Sequence, residues 1–198
     1  MMKFFFLILF FFVSNVASAK TIIFLGDSLT EGYQLSKEEA YPFLIEQEFK
    51  KKKYSVKIIN AGESGATSAS GPKKIRWYLK AKPEILVLAL GANDGLRGLS
   101  LKETEKNLSL VIESALSEKV KILLIGMKMP VNYGEPYRTQ FHELFKKLSL
   151  KYKLDLVPFL LEGVGGQPKL NLPDGIHPNP DGHKIMAETV LKKLEPLL

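Results

Sequence analysis

Ser28 stands in Gly26-Asp27-Ser28, directly after the apolar run Ile22-Ile23-Phe24-Leu25. A serine hydroxyl becomes a useful nucleophile only when a neighbouring base takes its proton. The chain has three histidines, so the search for that base is short. His142 lies beside Phe141 in a helical pattern and reads as a surface or partly buried helix residue. His183 falls in the first turn of the last helix and reads as solvated or capping. His177 differs, because Asp174 precedes it by one turn in a loop stiffened by Gly175 and Pro178. At that spacing the carboxylate can accept the imidazole Nδ1–H, which leaves Nε2 to act as base.

A serine attacking a carbonyl also needs donors for the developing oxyanion, and these must be backbone groups or short side chains that approach closely. Ser28 N–H is one, where the turn after the apolar run opens a helix whose N-terminus carries partial positive charge. Gly65 N–H is a second, since a glycine lets a loop backbone come near. The side-chain amide of Asn93, in Gly91-Ala92-Asn93-Asp94-Gly95, is a third.

Those residues can act together only if the fold gathers them. Ile22 to Leu25, Ser55 to Asn60, Ile85 to Leu90, Val120 to Gly126 and Leu154 to Phe159 read as strands, short and largely apolar. Helical spacing of apolar residues lies between them, over Glu38 to Lys52, Pro72 to Lys80, Leu101 to Glu118 and the stretch holding Phe141, Leu144, Phe145 and Leu148. Met127 to Pro136 reads as a loop, and Asn179 and Pro180 as the N-cap and first position of a final helix. Strict alternation without repeat or linker predicts one three-layer α/β domain around a parallel sheet. The polar clusters follow the first three strands and precede the last helix. In a parallel sheet the strand ends share one edge, and ligands bind there.

Composition bounds the rest. A hydrophobic content of 45% and a charged content of 25% suit a single globular domain. Lys3, the apolar run Phe4 to Val13 and Ala17-Ser18-Ala19 have the pattern of a secretory signal peptide over residues 1–19, leaving a domain over 20–198. Export, to a periplasm or to the outside, is the expected localisation. There is no cysteine, which excludes a thiol nucleophile and a thiolate-held metal. The net charge of +7 resides in runs such as Lys50 to Lys53 and accompanies no nucleic-acid motif; at most it favours peripheral contact with an anionic lipid surface.

Gly26-Asp27-Ser28-Leu29, the Gly65 loop, Gly91-Ala92-Asn93-Asp94 and Asp174-Gly175-Ile176-His177-Pro178 resemble, in order, the sequence blocks of the SGNH, or GDSL-type, hydrolases. Asn93 to Gly98 and Pro130 to Gly134 further resemble the bacterial periplasmic branch of multifunctional acyl thioesterases, lysophospholipases and arylesterases. The resemblance implies a flavodoxin-like five-stranded parallel sheet, Ser28 as nucleophile, Asp174 and His177 as its partners, and Gly65 and Asn93 in the oxyanion hole. It implies no cofactor. Ala66 departs from the branch, which often has an acidic residue after the loop glycine.

The expected reaction is acyl transfer to Ser28 and hydrolysis of the acyl-enzyme, on a small-molecule ester or thioester, lysophospholipids among them, by a monomeric enzyme. Activity should fall as the catalytic histidine protonates. Leu96, Leu99, Met129, Pro130 and Tyr133, with Met127, Leu160 and Leu161, are the expected contacts of the acyl chain, on loops after strands three to five. A polysaccharide O-acetyl esterase would use the same catalytic residues. A phosphate-binding module lacks its glycine pattern here, and a metal-dependent phosphatase would need Asp27, Asp94 and Asp174 to cluster around a cation.

Overall fold

The structure, a computed structural model, describes residues 19–198; the expected signal peptide lies almost wholly outside the described residues. Five strands form one parallel sheet: β1 (Lys20–Gly26), β2 (Val56–Gly62), β3 (Ile85–Ala89), β4 (Lys121–Ile125) and β5 (Asp155–Val157), in the order β2-β1-β3-β4-β5. Ile22 to Leu25 in β1 and Leu86 to Leu88 in β3 are fully buried. They lie at the centre of the sheet with helices on both faces, which is why these strands read as unbroken apolar runs.

The helices are α1 (Ser28–Glu31), α2 (Tyr41–Lys51), α3 (Gly71–Tyr78), α4 (Ala92–Leu96), α5 (Leu101–Ser117), α6 (Glu135–Tyr152) and α7 (Pro180–Leu194). α2 packs on α7 over one face, and α3, α5 and α6 pack side by side over the other. This is the expected three-layer, flavodoxin-like arrangement. Right-handed crossovers between parallel strands place successive helices this way.

Strand ends shift by one or two residues from the sequence pattern, β5 is shorter than expected at Asp155–Val157, and two helix starts differ for a visible reason. α6 begins at Glu135, so the loop expected to reach Pro136 ends at Gly134, whose φ of 76° turns the chain into the helix. Pro136 sits in the first helical turn, where its missing N–H costs nothing. α2 begins at Tyr41, because Lys37–Glu39 form a separate short turn closed by a Ser36–Glu39 capping box.

From β1 the chain steps outward to β2 and then crosses back to β3 on the other side. That reversal opens a crevice at the carboxyl edge between the two connections. Ser28 follows β1, Gly65 follows β2 and Asn93 follows β3, so all three emerge at this edge.

Candidate active site

β1 ends at Gly26, where an added Cβ would collide with the Thr30 side chain. Only glycine lets the chain turn this tightly into α1, a single turn ended by Gly32 at φ 87°. Asp27 caps α1 by accepting from Leu29 N–H at 3.0 Å. Burial pushes the Asp27 carboxyl up to about 6. Ser28 is thereby fixed as the first residue of the helix, with its hydroxyl toward His177.

His177 Nε2 lies 2.9 Å from Ser28 Oγ. Its Nδ1 lies 2.7 Å from Asp174 Oδ2. The other oxygen of Asp174 accepts from Ile176 N–H at 2.9 Å and His177 N–H at 3.0 Å. Gly175, at φ 70°, lets the loop fold back so that one carboxylate serves both the backbone and the ring. The His177 backbone N–H first, then that of Ile176 and the imidazole, hold the Asp174 carboxyl down to about 2. It is therefore an anion over any working pH, and an anion at Nδ1 requires the proton there. Nε2 is then the basic nitrogen, pointed at the serine.

The loop holding Gly65 is tied down from two sides. On one side, Glu63 N–H donates to Gly26 O at 3.2 Å, and the Glu31 carboxylate accepts from Ser64 N–H at 2.7 Å. On the other, Asn93 Nδ2 donates to Ala66 O at 3.0 Å and Arg97 donates to Gly65 O at 3.1 Å. An amide nitrogen has two hydrogens, so Asn93 can anchor the loop with one and offer the other to an oxyanion. Asp94 strengthens the same junction. It is buried and accepts from Ser68 N–H at 2.8 Å, Ser68 Oγ at 2.5 Å and Thr104 Oγ1 at 3.2 Å.

The expected acyl-chain residues divide. Leu96 and Tyr133 come together, with Tyr133 OH donating to Leu96 O at 2.8 Å. Leu99 and Pro130 are exposed beside them. Met129 is packed into the core, where it and Phe141 press on Gly95 so closely that a Cβ there would clash. Met127 and Leu160 are also buried and, with Leu29 and Ala92, enclose a small void beside Asp27. Leu161, half-buried, packs against the core.

His183 corrects an expectation. It is buried rather than solvated, and its Nδ1 accepts from Tyr41 N–H at 3.1 Å. Burial pushes its imidazole down to about 4. The N-cap of α7 is Asn179, as its position before Pro180 predicts, and it accepts from Asp181 and Gly182 N–H. Tyr33 joins the site without a sequence pattern to mark it. Its ring lies tilted against that of His177, with centroids 4.4 Å apart. The only signal in the sequence is an aromatic residue directly after the glycine that ends α1.

The three aspartates that a cation site would need are otherwise engaged: Asp27 with the α1 backbone, Asp94 with Ser68 and Thr104, Asp174 with His177. Among the described residues no cluster of three His, Cys, Asp or Glu has metal-binding geometry.

A profile of the GDSL-like Lipase/Acylhydrolase family matches residues 24–185. Thioesterase 1/protease 1/lysophospholipase L1 of Escherichia coli K12 is 35% identical over 198 residues, covering 100% of this chain and 93% of that protein. An arylesterase of Vibrio mimicus is 34% identical over 190 residues, covering 95% of each. The crystal structure of TesA superposes with a TM-score of 0.88 at 35% identity, covering 90% of this chain and 100% of the other.

Proposed function

This chain belongs to the GDSL-like lipase/acylhydrolase family, a family of ester-bond hydrolases, and we propose that it cleaves carboxylic ester or thioester bonds of acyl substrates through an acyl-enzyme on Ser28. The observation that carries this reading is the continuous hydrogen-bonded path from Ser28 Oγ through His177 to Asp174, 2.9 and 2.7 Å in its two steps.

His177 Nε2 takes the Ser28 proton as Oγ attacks the acyl carbonyl. The imidazolium that forms faces the Asp174 carboxylate. Ser28 N–H, Gly65 N–H and the free amide hydrogen of Asn93 receive the oxyanion. His177 then gives the proton to the leaving alcohol or thiol, and on the second pass it activates water against the acyl-enzyme. No step calls for a cofactor.

The relatives' names include thioesterase, lysophospholipase and arylesterase, and they support acyl esters of small molecules, lysophospholipids among them, as the substrate class. The acyl chain would leave the serine along Leu96, Leu99 and Tyr133. Export is part of the proposal, supported by the Lys3, Phe4–Val13 and Ala17–Ala19 pattern, as is action as a monomer.

The test is hydrolysis of p-nitrophenyl esters from acetate to palmitate by the protein and by Ser28→Ala. Serine-dependent turnover favouring medium or long chains is expected. Turnover of acetate alone would point to a carbohydrate O-acetyl esterase on the same scaffold, and no serine-dependent turnover of any ester would refute the reading.

A further inference from the structure

α3 turns two unlike faces to its surroundings. Ile75 is fully buried, and Gly71 lies so close to Val111 of α5 that an added Cβ would collide. Lys73, Arg76, Trp77 and Lys80 fall at i, i+3, i+4 and i+7, the spacing of one helical face. All four are exposed, Trp77 to 65%. The short turn Leu79–Ala81 carries this face past the end of α3, and exposed Lys82 follows it.

Two features separate this face from an ordinary solvated run of lysines. The first is uncompensated charge. Between Gly65 and Pro83 the chain has five Lys or Arg residues and no Asp or Glu. Lys74 pairs with Glu63, while Lys73, Arg76, Lys80 and Lys82 make no ion pair among the described residues. The basic run that ends α2 is different: Lys50, Lys51 and Lys52 pair with Glu46, Glu48 and Glu195. The second is the indole of Trp77. A tryptophan left in water buries none of its apolar ring, whereas at a lipid headgroup boundary the ring meets acyl chains and its N–H stays wet.

We propose that this face of α3 docks the protein on the surface of an anionic phospholipid bilayer. No helix among the described residues is long and apolar enough to cross a membrane, so the contact is peripheral: cations at the lipid phosphates and one amphipathic ring at headgroup level. α3 begins six residues after Gly65, and docking there keeps the catalytic crevice beside the lipid, in keeping with the acyl lipids proposed above as substrates. Single-stranded nucleic acid fits less well. It is bound by stacking successive bases, and Trp77 is the one aromatic of this face, with the Lys80 ammonium over its ring at 4.7 Å.

Trp77 is the only tryptophan in the chain, so its emission reports on this surface directly. The domain of residues 20–198 is used, so that the apolar run Phe4 to Val13 adds no lipid binding of its own. It is titrated with phosphatidylglycerol vesicles, phosphatidylcholine vesicles and duplex DNA, and sedimented with the vesicles. Phosphatidylglycerol should shift the emission to the blue, with half-binding at about 1 mM accessible lipid or below, the scale that four surface cations supply. Raising the salt to about 1 M, where the Debye length is about 3 Å, should reverse the shift. Phosphatidylcholine and DNA should leave the emission maximum in place. Lys73→Gln combined with Arg76→Gln and Lys80→Gln should weaken phosphatidylglycerol binding at least about tenfold, with melting temperature and p-nitrophenyl butyrate turnover unchanged. No blue shift on phosphatidylglycerol, sedimentation without a shift, an equal shift on phosphatidylcholine or on DNA, or undiminished binding by the triple variant would overturn the proposal. The binding readouts need no turnover, so they succeed or fail independently of the esterase reading.

Discussion

His177 and His183 belong to the same C-terminal segment and meet opposite surroundings. His177 is half-buried at the crevice, with a carboxylate at Nδ1 and a hydroxyl at Nε2. His183 is buried under α2, and its Nδ1 accepts a backbone N–H. The partner of Nδ1 therefore sets opposite tautomers, with the proton on Nδ1 in His177 and on Nε2 in His183. One ring stands between a carboxylate and the Ser28 hydroxyl, where the proposed mechanism needs a base. The other is arranged to stay neutral and satisfy the start of a helix. Partner chemistry, more than burial, separates the proposed catalytic histidine from the structural one.

Substitutions put this contrast to the test. His177→Ala, like Ser28→Ala, should lower kcat/KM on the order of 10⁴- to 10⁶-fold, with the melting temperature nearly unchanged by circular dichroism. His183→Leu should do the reverse. It strands the Tyr41 N–H and should cost about 1–3 kcal/mol in urea unfolding, while the folded fraction keeps its turnover. A large catalytic loss in folded His183→Leu would erase the distinction.

Asp174→Asn probes the His177 tautomer itself. Its amide NH₂, placed where Oδ2 lies, would favour the tautomer with the proton on Nε2, and kcat should fall by about 10³–10⁴ with little change in KM. Asn93→Ala should cost about 10²–10³ in kcat, the usual worth of one oxyanion donor. A KM effect alone would place Asn93 in ground-state binding instead.

The smallest effects concern pH and stability. The folded pKa of His183, about 4, lies below its ordinary 6.5. Its stabilising contribution is complete above pH 6.5 and is lost as pH falls toward 4. Asp27 runs oppositely: its folded value of about 6 lies above the ordinary 3.8. The native state holds that proton between the two values, so raising pH through 6 charges a buried carboxyl and weakens the fold. Each effect amounts to at most about 3 kcal/mol. Asp27→Asn should therefore raise the melting temperature more at pH 7.5 than at pH 4.5, and an equal rise at both would contradict the assignment.

Much of this arrangement is legible in the amino-acid sequence. β1 and β3 announce themselves because strands buried on both faces must be apolar throughout. Ser28, Asp174 and His177 stand out through residue type and local spacing. What depends on distant packing does not. The burial of His183 depends on α2 arriving over α7, and the Met129 contact on α4 settling onto α6; neither leaves a mark in local periodicity. Asp94 reads as part of a turn cluster, although its carboxylate joins three elements. Tyr33 carries no signal until the loop of His177 folds back onto it.

The assignment of Ser28 as an activated nucleophile is best tested by labelling the protein with a fluorophosphonate and locating the adduct by peptide mass spectrometry. Such reagents trap a serine only where a base and an oxyanion hole activate it. One adduct per chain is expected, on Ser28, and it should disappear in His177→Ala. An adduct on another residue, or labelling of Ser28 that persists at the same rate without His177, would contradict the assignment.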